Sequence, residues 1–297
     1  IEPYAAATSD LYQDLFEEGS FTGKGIYDVD AFQKALADRV PENTMLSHDL
    51  FEGVFARAAL ASDIEVVEDF PTRYDADSSR QHRWARGDWQ LLPWIFGARG
   101  KAEGGLPAVG RWKMLDNLRR SLLAPMVVLT LCLGWLMGPT IALMWTIWTI
   151  LMLALPRVLP LPFGIVPTRT GVTARSHLAA LGKDTLTALS HIGLVVVFLA
   201  DAATVMLDAI IRTVWRLAVS RRHLLEWVTA EQASRAGAPT LVAAFRRMAP
   251  SVATALFAAA LVYWFSPGSL PLALPFCILW VIAPLVATYI SKPRPSV

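Results

Sequence analysis

The stretch Arg80-Gln81-His82-Arg83-Trp84-Ala85-Arg86-Gly87-Asp88-Trp89 puts charges and indoles side by side, shortly before a long apolar region. It reads as part of a helix from Arg80 to Leu92, stopped by Pro93. Forked guanidinium donors beside aromatic plates suit a charged, ring-shaped ligand next to a bilayer.

The 297 residues allow one large or two moderate domains. Hydrophobic residues make up 54% and charged residues 18%, against about a quarter charged in an ordinary soluble protein. The average hides a break, because residues 1–120 read as soluble and residues 121–290 carry most of the apolar runs. A net charge of +2 gives no electrostatic footprint for nucleic acid. Cys132 and Cys277 lie in apolar stretches without metal or disulfide spacing and read as buried fillers. The chain opens Ile1-Glu2-Pro3 with no leader pattern, so it reads as the middle of a longer polypeptide.

Upstream of the arginine–tryptophan helix, residues 1–18 read as helical. Residues 19–30 form a glycine-punctuated loop, and Asp30 is placed to cap a helix reaching Leu36 to Arg39. A helical pattern follows Leu46-Ser47-His48-Asp49 at Leu50, Val54, Phe55 and Ala58. Residues 63–70 alternate enough to predict a strand ended by Pro71. A glycine-rich loop over 97–110 leads to a basic approach to the apolar half.

Apolar stretches run over Leu122–Met137, Thr140–Leu155, Ile192–Ile211, Val252–Phe265 and Leu270–Ile290. A span needs about 20 residues, so some ends extend into their flanks. Basic residues flank every stretch except at the turns 137–140 and 266–270. The positive-inside rule then favours four crossings as two hairpins, at about 120–138, 139–156, 249–267 and 269–290. The segment 186–211, basic on both flanks and carrying Asp201 and Asp208, is read as non-spanning or re-entrant. A cytoplasmic surface helix is expected over 212–235. Five crossings with one violation of the rule is the competing arrangement.

Several residues could carry chemistry. Asp49 is placed either to accept a proton from a hydroxyl or to cap the following helix, with Glu52 completing a capping box. His48 has no second histidine at metal-ligand spacing, and no metal site is read within the chain. Arg80, Arg83 and Arg86 suit a diphosphate, and Trp84 a sugar ring. The bland alternative is an interface helix with arginines on lipid phosphate. The loop Gly19–Asp28 is either a turn or a close approach to a ligand, and Gly23-Lys24-Gly25 lacks phosphate-loop spacing.

Three segments taken together carry a resemblance: Phe21-Thr22-Gly23-Lys24-Gly25-Ile26-Tyr27-Asp28, Leu46 through Gly53, and Arg80 through Trp89. They resemble the membrane-embedded processive glycosyltransferases of the cellulose-synthase-like superfamily, and more closely the cyclic β-1,2-glucan synthases of bacterial inner membranes. The resemblance covers most of the chain. It implies a partial GT-A-like α/β portion over 1–110 and an α-helical transmembrane bundle over 111–297. It places the catalytic base on Asp49, with His48 where an acidic neighbour is usual. It places the Gln-x-x-Arg-Trp signature on Arg80 to Trp84, with Arg80 where glutamine is usual.

By this resemblance Arg80, Arg83 and Arg86 face the donor diphosphate. Trp84, His48, Phe21, Gly23, Gly25 and Tyr27 face the acceptor. The implied partners are UDP-glucose, the growing glucan and membrane lipids. A divalent cation (Mg or Mn) is expected mainly on upstream residues, in a missing N-terminal transferase segment. A phosphorylase-like region of the same polypeptide is expected as well. The implied reaction is inverting transfer of glucose from UDP-glucose. Tyr4, Tyr12 and Tyr27 offer hydroxyls for glucan attachment, none assignable. The alternatives are a synthase of another β-glucan, or a non-enzymatic membrane scaffold or transporter-like subunit.

Overall fold

The computed structural model describes residues 11–21, 23, 25–46, 49–61, 64, 70–97, 105–166, 173–226 and 240–292. Every regular element among them is helical. The chain divides into two compact units, residues 1–122 with 205–237, and residues 123–204 with 238–297.

The first unit holds α1 (Val29–Leu36), α2 (Asp49–Ala56), α3 (Tyr74–Gln90), α4 (Leu92–Ile95) and the opening turns of α5 (Ala108–Leu136). The cap of α1 is Asp28 rather than Asp30, with the Ala31 amide donating to its Oδ1 at 2.8 Å. The core of this unit gathers Met45, Phe51, Val54, Leu91, Trp94, Ile95, Met114 and Leu118. Phe51 and Val54 lie three apart on α2, and Met114 and Leu118 four apart on α5, so each helix presents one stripe. Phe51 meets Trp94 edge-on at 5.3 Å. Burying each large side chain contributes about 1.5–3 kcal/mol.

The second unit holds the rest of α5, then α6 (Pro139–Val158), most of α7 (Ala174–Trp215), α8 (Leu241–Arg247), α9 (Ala249–Phe265) and α10 (Leu270–Ile290). Its core is built from Trp135, Phe276 and Trp280 set among small residues such as Ala200, Ala255, Ala258 and Ala273. Small residues let backbones approach where lipid supplies no hydrophobic drive between helices. Both buried indoles have acceptors, Trp135 donating to Thr146 Oγ1 at 3.0 Å and Trp280 to the Val196 carbonyl at 3.0 Å. The two non-basic turns meet, since a Cβ on Gly268 would come within 2.9 Å of Pro139 Cγ.

Four helical stretches are long and apolar enough to cross a membrane: Ala108–Leu136, Pro139–Gly164, Ala174–Ser220 and Pro267–Ile290. A fifth is available if α8 and α9, bent by 64° at their junction, act as one span. The expected segment 186–211 thus lies inside the long helix α7, and the expected span 249–267 corresponds to α9.

The expected α/β portion is corrected by this architecture. No strand occurs among the described residues, and the parts of 1–110 that are described pack as helices. Their apolar positions recur at three and four residues, as Phe51, Val54 and Phe55 do, a period that does not support a half-buried strand. The strand expected over 63–70 falls almost wholly outside the described residues.

Candidate functional site

The glycine loop and the first turn of α2 meet. Gly23 has φ +84°, a conformation natural to glycine, and a Cβ there would lie 3.0 Å from Asp49 Oδ2. A Cβ on Gly53 would lie 2.7 Å from the Phe21 Cβ, and one on Gly25 would lie 3.1 Å from its ring. The loop therefore lies directly on the helix start, and only side-chain-free positions allow the approach. Asp49 and Glu52 occupy the first turn of α2, where the positive end of the helix favours carboxylates. Asp49 is the first helical residue, while His48 lies outside the described residues. Tyr27 is not part of this group, because its ring stacks on Phe32 of α1 at 4.6 Å.

Helix α3 has two working sides. On the first, the Arg80 guanidinium lies 4.7 Å from the Trp84 ring and 5.0 Å from the Phe70 ring, and donates to Asp77 Oδ1 at 2.8 Å. Arg83 joins this side. Burial and the neighbouring Arg80 push its guanidinium down, and the Asp49 carboxylate works in the opposite direction. Trp84 keeps 38% of its surface exposed. Asp49, Arg83, Arg80 and the ring of Trp84 thus share one polar–aromatic face.

The second side of α3 fastens the helix to its neighbours. Arg86, 6% exposed, donates to the backbone carbonyls of Glu226 at 2.7 Å, Leu224 at 3.2 Å and His223 at 3.3 Å. Gln90 donates to the Leu224 carbonyl at 2.9 Å and accepts from the Leu46 amide at 2.6 Å. His82 Nε2 lies 2.8 Å from Asp208 Oδ2, and Asp208 also receives a forked pair from Arg212. Trp89 donates to Ser121 Oγ at 2.9 Å, and Asn117 donates to Asp88 Oδ1 at 3.0 Å.

Two titrating groups on this side are displaced in opposite senses. Burial pushes the Asp88 carboxyl up to about 6, partly opposed by Asn117 and Arg120. Burial pushes His82 down, with Asp208 opposing it and Arg86 and Arg212 adding to it. Among the described residues, no group of three or more His, Cys, Asp or Glu side chains could hold a metal ion.

The residues read as ligand contacts therefore separate. Phe21, Gly23 and Gly25 gather at Asp49, and the half-buried Arg80 and Arg83 share one side of α3 with the exposed Trp84. Arg86 is spent on three carbonyls, and Tyr27 packs against Phe32 of α1. Of the fastening residues, Gln90 and Asn117 were not singled out by sequence reading, and Asp208 and Lys113 were read only for membrane topology. Lys113 donates to Glu18 Oε1 and to the Gly19 carbonyl, both at 2.8 Å, and lies 4.8 Å from the Tyr12 ring. A lone lysine between Trp112 and Met114, inside an amphipathic pattern, was the available signal.

Helical packing throughout the described residues, with several helices able to cross a bilayer, defines a multi-pass membrane protein. Over 293 residues, 98% of its length, the chain is 47% identical to cyclic beta-(1,2)-glucan synthase NdvB of Rhizobium meliloti (strain 1021). It is a high-identity partial match to the cyclic β-1,2-glucan synthase family. The chain spans 10% of the length of that relative. No family model matches it.

The same architecture corrects the expectation of a UDP-glucose-dependent glucosyltransferase carried by this segment. The sheet on which a GT-A-like site is built does not occur among the described residues, and no metal-binding cluster occurs among them either. Of the wider expectation, the membrane and transmembrane-helix character stands, and the transferase character of the segment does not.

Proposed function

We propose that this chain is a non-catalytic, membrane-embedded scaffold segment of a larger cyclic β-1,2-glucan synthase polypeptide. The observation that carries the reading is the buried Trp135–Phe276–Trp280 core joining helices long enough to span, in a chain 47% identical to part of a named glucan synthase. In this reading the basic flanks lie on the cytoplasmic side of a bacterial inner membrane, as their asymmetry supports. The polar–aromatic face of Asp49, Arg83 and Trp84 offers contacts to the growing glucan and to a sugar nucleotide processed elsewhere in the polypeptide. Any divalent cation and the phosphorylase-like region also belong elsewhere in that polypeptide.

The test is transfer from radiolabelled UDP-glucose by the chain alone, inserted in lipid nanodiscs with Mg or Mn. The expected result is a folded, inserted protein that transfers no glucose. Transfer to a glucan acceptor would overturn the non-catalytic reading.

A further inference from the structure

The long helix α7 does not end as an ordinary α-helix. Its last turn widens into a π-helical stretch, Arg216–Ser220, and the chain then turns through Arg221 at φ 51° and His223 at φ 59°. Left-handed backbone is unfavourable at non-glycine residues and persists only where surroundings over-determine it. Here the surroundings are explicit. Arg86 and Gln90 hold the carbonyls of 223–226 from one side, and Arg216 donates to the His223 carbonyl at 2.5 Å and to Glu226 Oε2 at 3.0 Å. With those inward arginines occupied, Arg221 and Arg222 stand exposed at the tip of a fixed turn.

The helix leading to that turn carries an exposed apolar stripe. Leu207, Ile211 and Trp215 are 41%, 65% and 59% exposed and follow one another at four-residue spacing. The stripe belongs to a helix long and apolar enough to cross a membrane. Apolar side chains interleaved with the Asp208–Arg212 ion pair, then an indole, then paired arginines is the order of chemistry met at the edge of a bilayer, from the margin of the hydrocarbon through the interface to phosphate.

We infer that the Arg221–Arg222 turn is a docking site for anionic phospholipid headgroups, with Trp215 at the interface. The inference rests on the membrane-embedded reading and goes beyond it. A charged headgroup is selected at a turn held rigid by α3, not merely tolerated along a span. Continuity with the apolar stripe and complementarity of the two guanidinium groups to lipid phosphate assign the occupant.

The experiment reconstitutes the full chain in nanodiscs of phosphatidylcholine with a minority of phosphatidylglycerol. The lipid retained after gentle detergent extraction is then weighed by mass spectrometry. Wild type is expected to retain phosphatidylglycerol above its bulk share. Arg221→Gln/Arg222→Gln is expected to cut that enrichment about fivefold or more, since a basic residue near the surface is worth about 1 kcal/mol. Lys34→Gln/Arg57→Gln, which removes two exposed charges elsewhere, is expected to leave it unchanged. Equal retention by the Arg221/Arg222 variant, or an equal loss from both variants, overturns the proposal. Displacement of the retained lipid by excess inorganic phosphate assigns a free-phosphate site and overturns it as well. A chain that does not enter the disc overturns the membrane reading, and this inference with it.

Discussion

The two units of this chain are both helical, but they are held together differently. The second is packed mainly with indoles, alanines and a few satisfied hydroxyls, and it also buries the Asp201 carboxylate. The first has a smaller apolar core and adds buried polar ties: Lys113 to Glu18, Arg86 to three carbonyls, Gln90 to a carbonyl and an amide. The difference teaches where specificity is stored. Close packing tolerates neighbours of similar size, whereas a buried charge or amide accepts only the partner that completes it.

Several substitutions would break or sharpen this contrast. The largest effect is expected from Trp280→Ala, which removes a fully buried indole from the second unit. Its stability in detergent should fall by about 4 kcal/mol. Trp280→Phe should recover more than half, because volume matters more there than the single bond to Val196. Next, Lys113→Met leaves the Glu18 carboxylate buried without its cation. A loss of about 3 kcal/mol is expected, and adding Glu18→Gln should restore much of it. Both pairs can be compared by thermal melting of the reconstituted protein.

Arg86→Ala should cost about 2 kcal/mol, since it strips charged donors from three carbonyls. Limited proteolysis near 223–226 should quicken before global unfolding does. Retention of a nucleotide probe by the Arg80–Arg83–Trp84 face should change little. If Arg86→Ala instead abolishes probe binding and leaves proteolysis unchanged, the division of α3 into two sides is wrong.

A further effect is expected from pH. The folded-state pKa of Asp88 lies at about 6, above its ordinary value of 3.8. The folded state therefore binds the proton more readily than the unfolded one, and stability rises as pH falls through 6 towards 4. Asp88→Asn should flatten that rise. His82 acts in the opposite sense, because its pKa is lowered in the fold and protonation below its ordinary 6.5 works against folding. The Asp88 contribution is thus best read as the difference between the variant and its parent.

The apolar half was the more legible part of the sequence. The runs, the prolines and the two non-basic turns all appear as helices and as meeting loops, because lipid exposure and helix burial both demand continuous apolar residues. The residues before the apolar half were misread in fold class. Their α/β expectation came from resemblance, while their own apolar spacing at Phe51, Val54 and Phe55 was helical. The three arginines of α3 show what spacing does not reveal. Three residues advance a helix by about 300°, so each arginine is rotated about 60° from the one before. Arg80 and Arg86 consequently point to different neighbours. Arg86 finds its carbonyls 137 to 140 positions away in the chain, a pairing that local pattern does not encode.

The most direct test of the central claim is alkaline carbonate extraction of bacterial membranes containing this chain. A scaffold whose helices cross the bilayer must stay in the membrane pellet and leave only with detergent. Recovery of the folded chain in the carbonate supernatant would contradict the account.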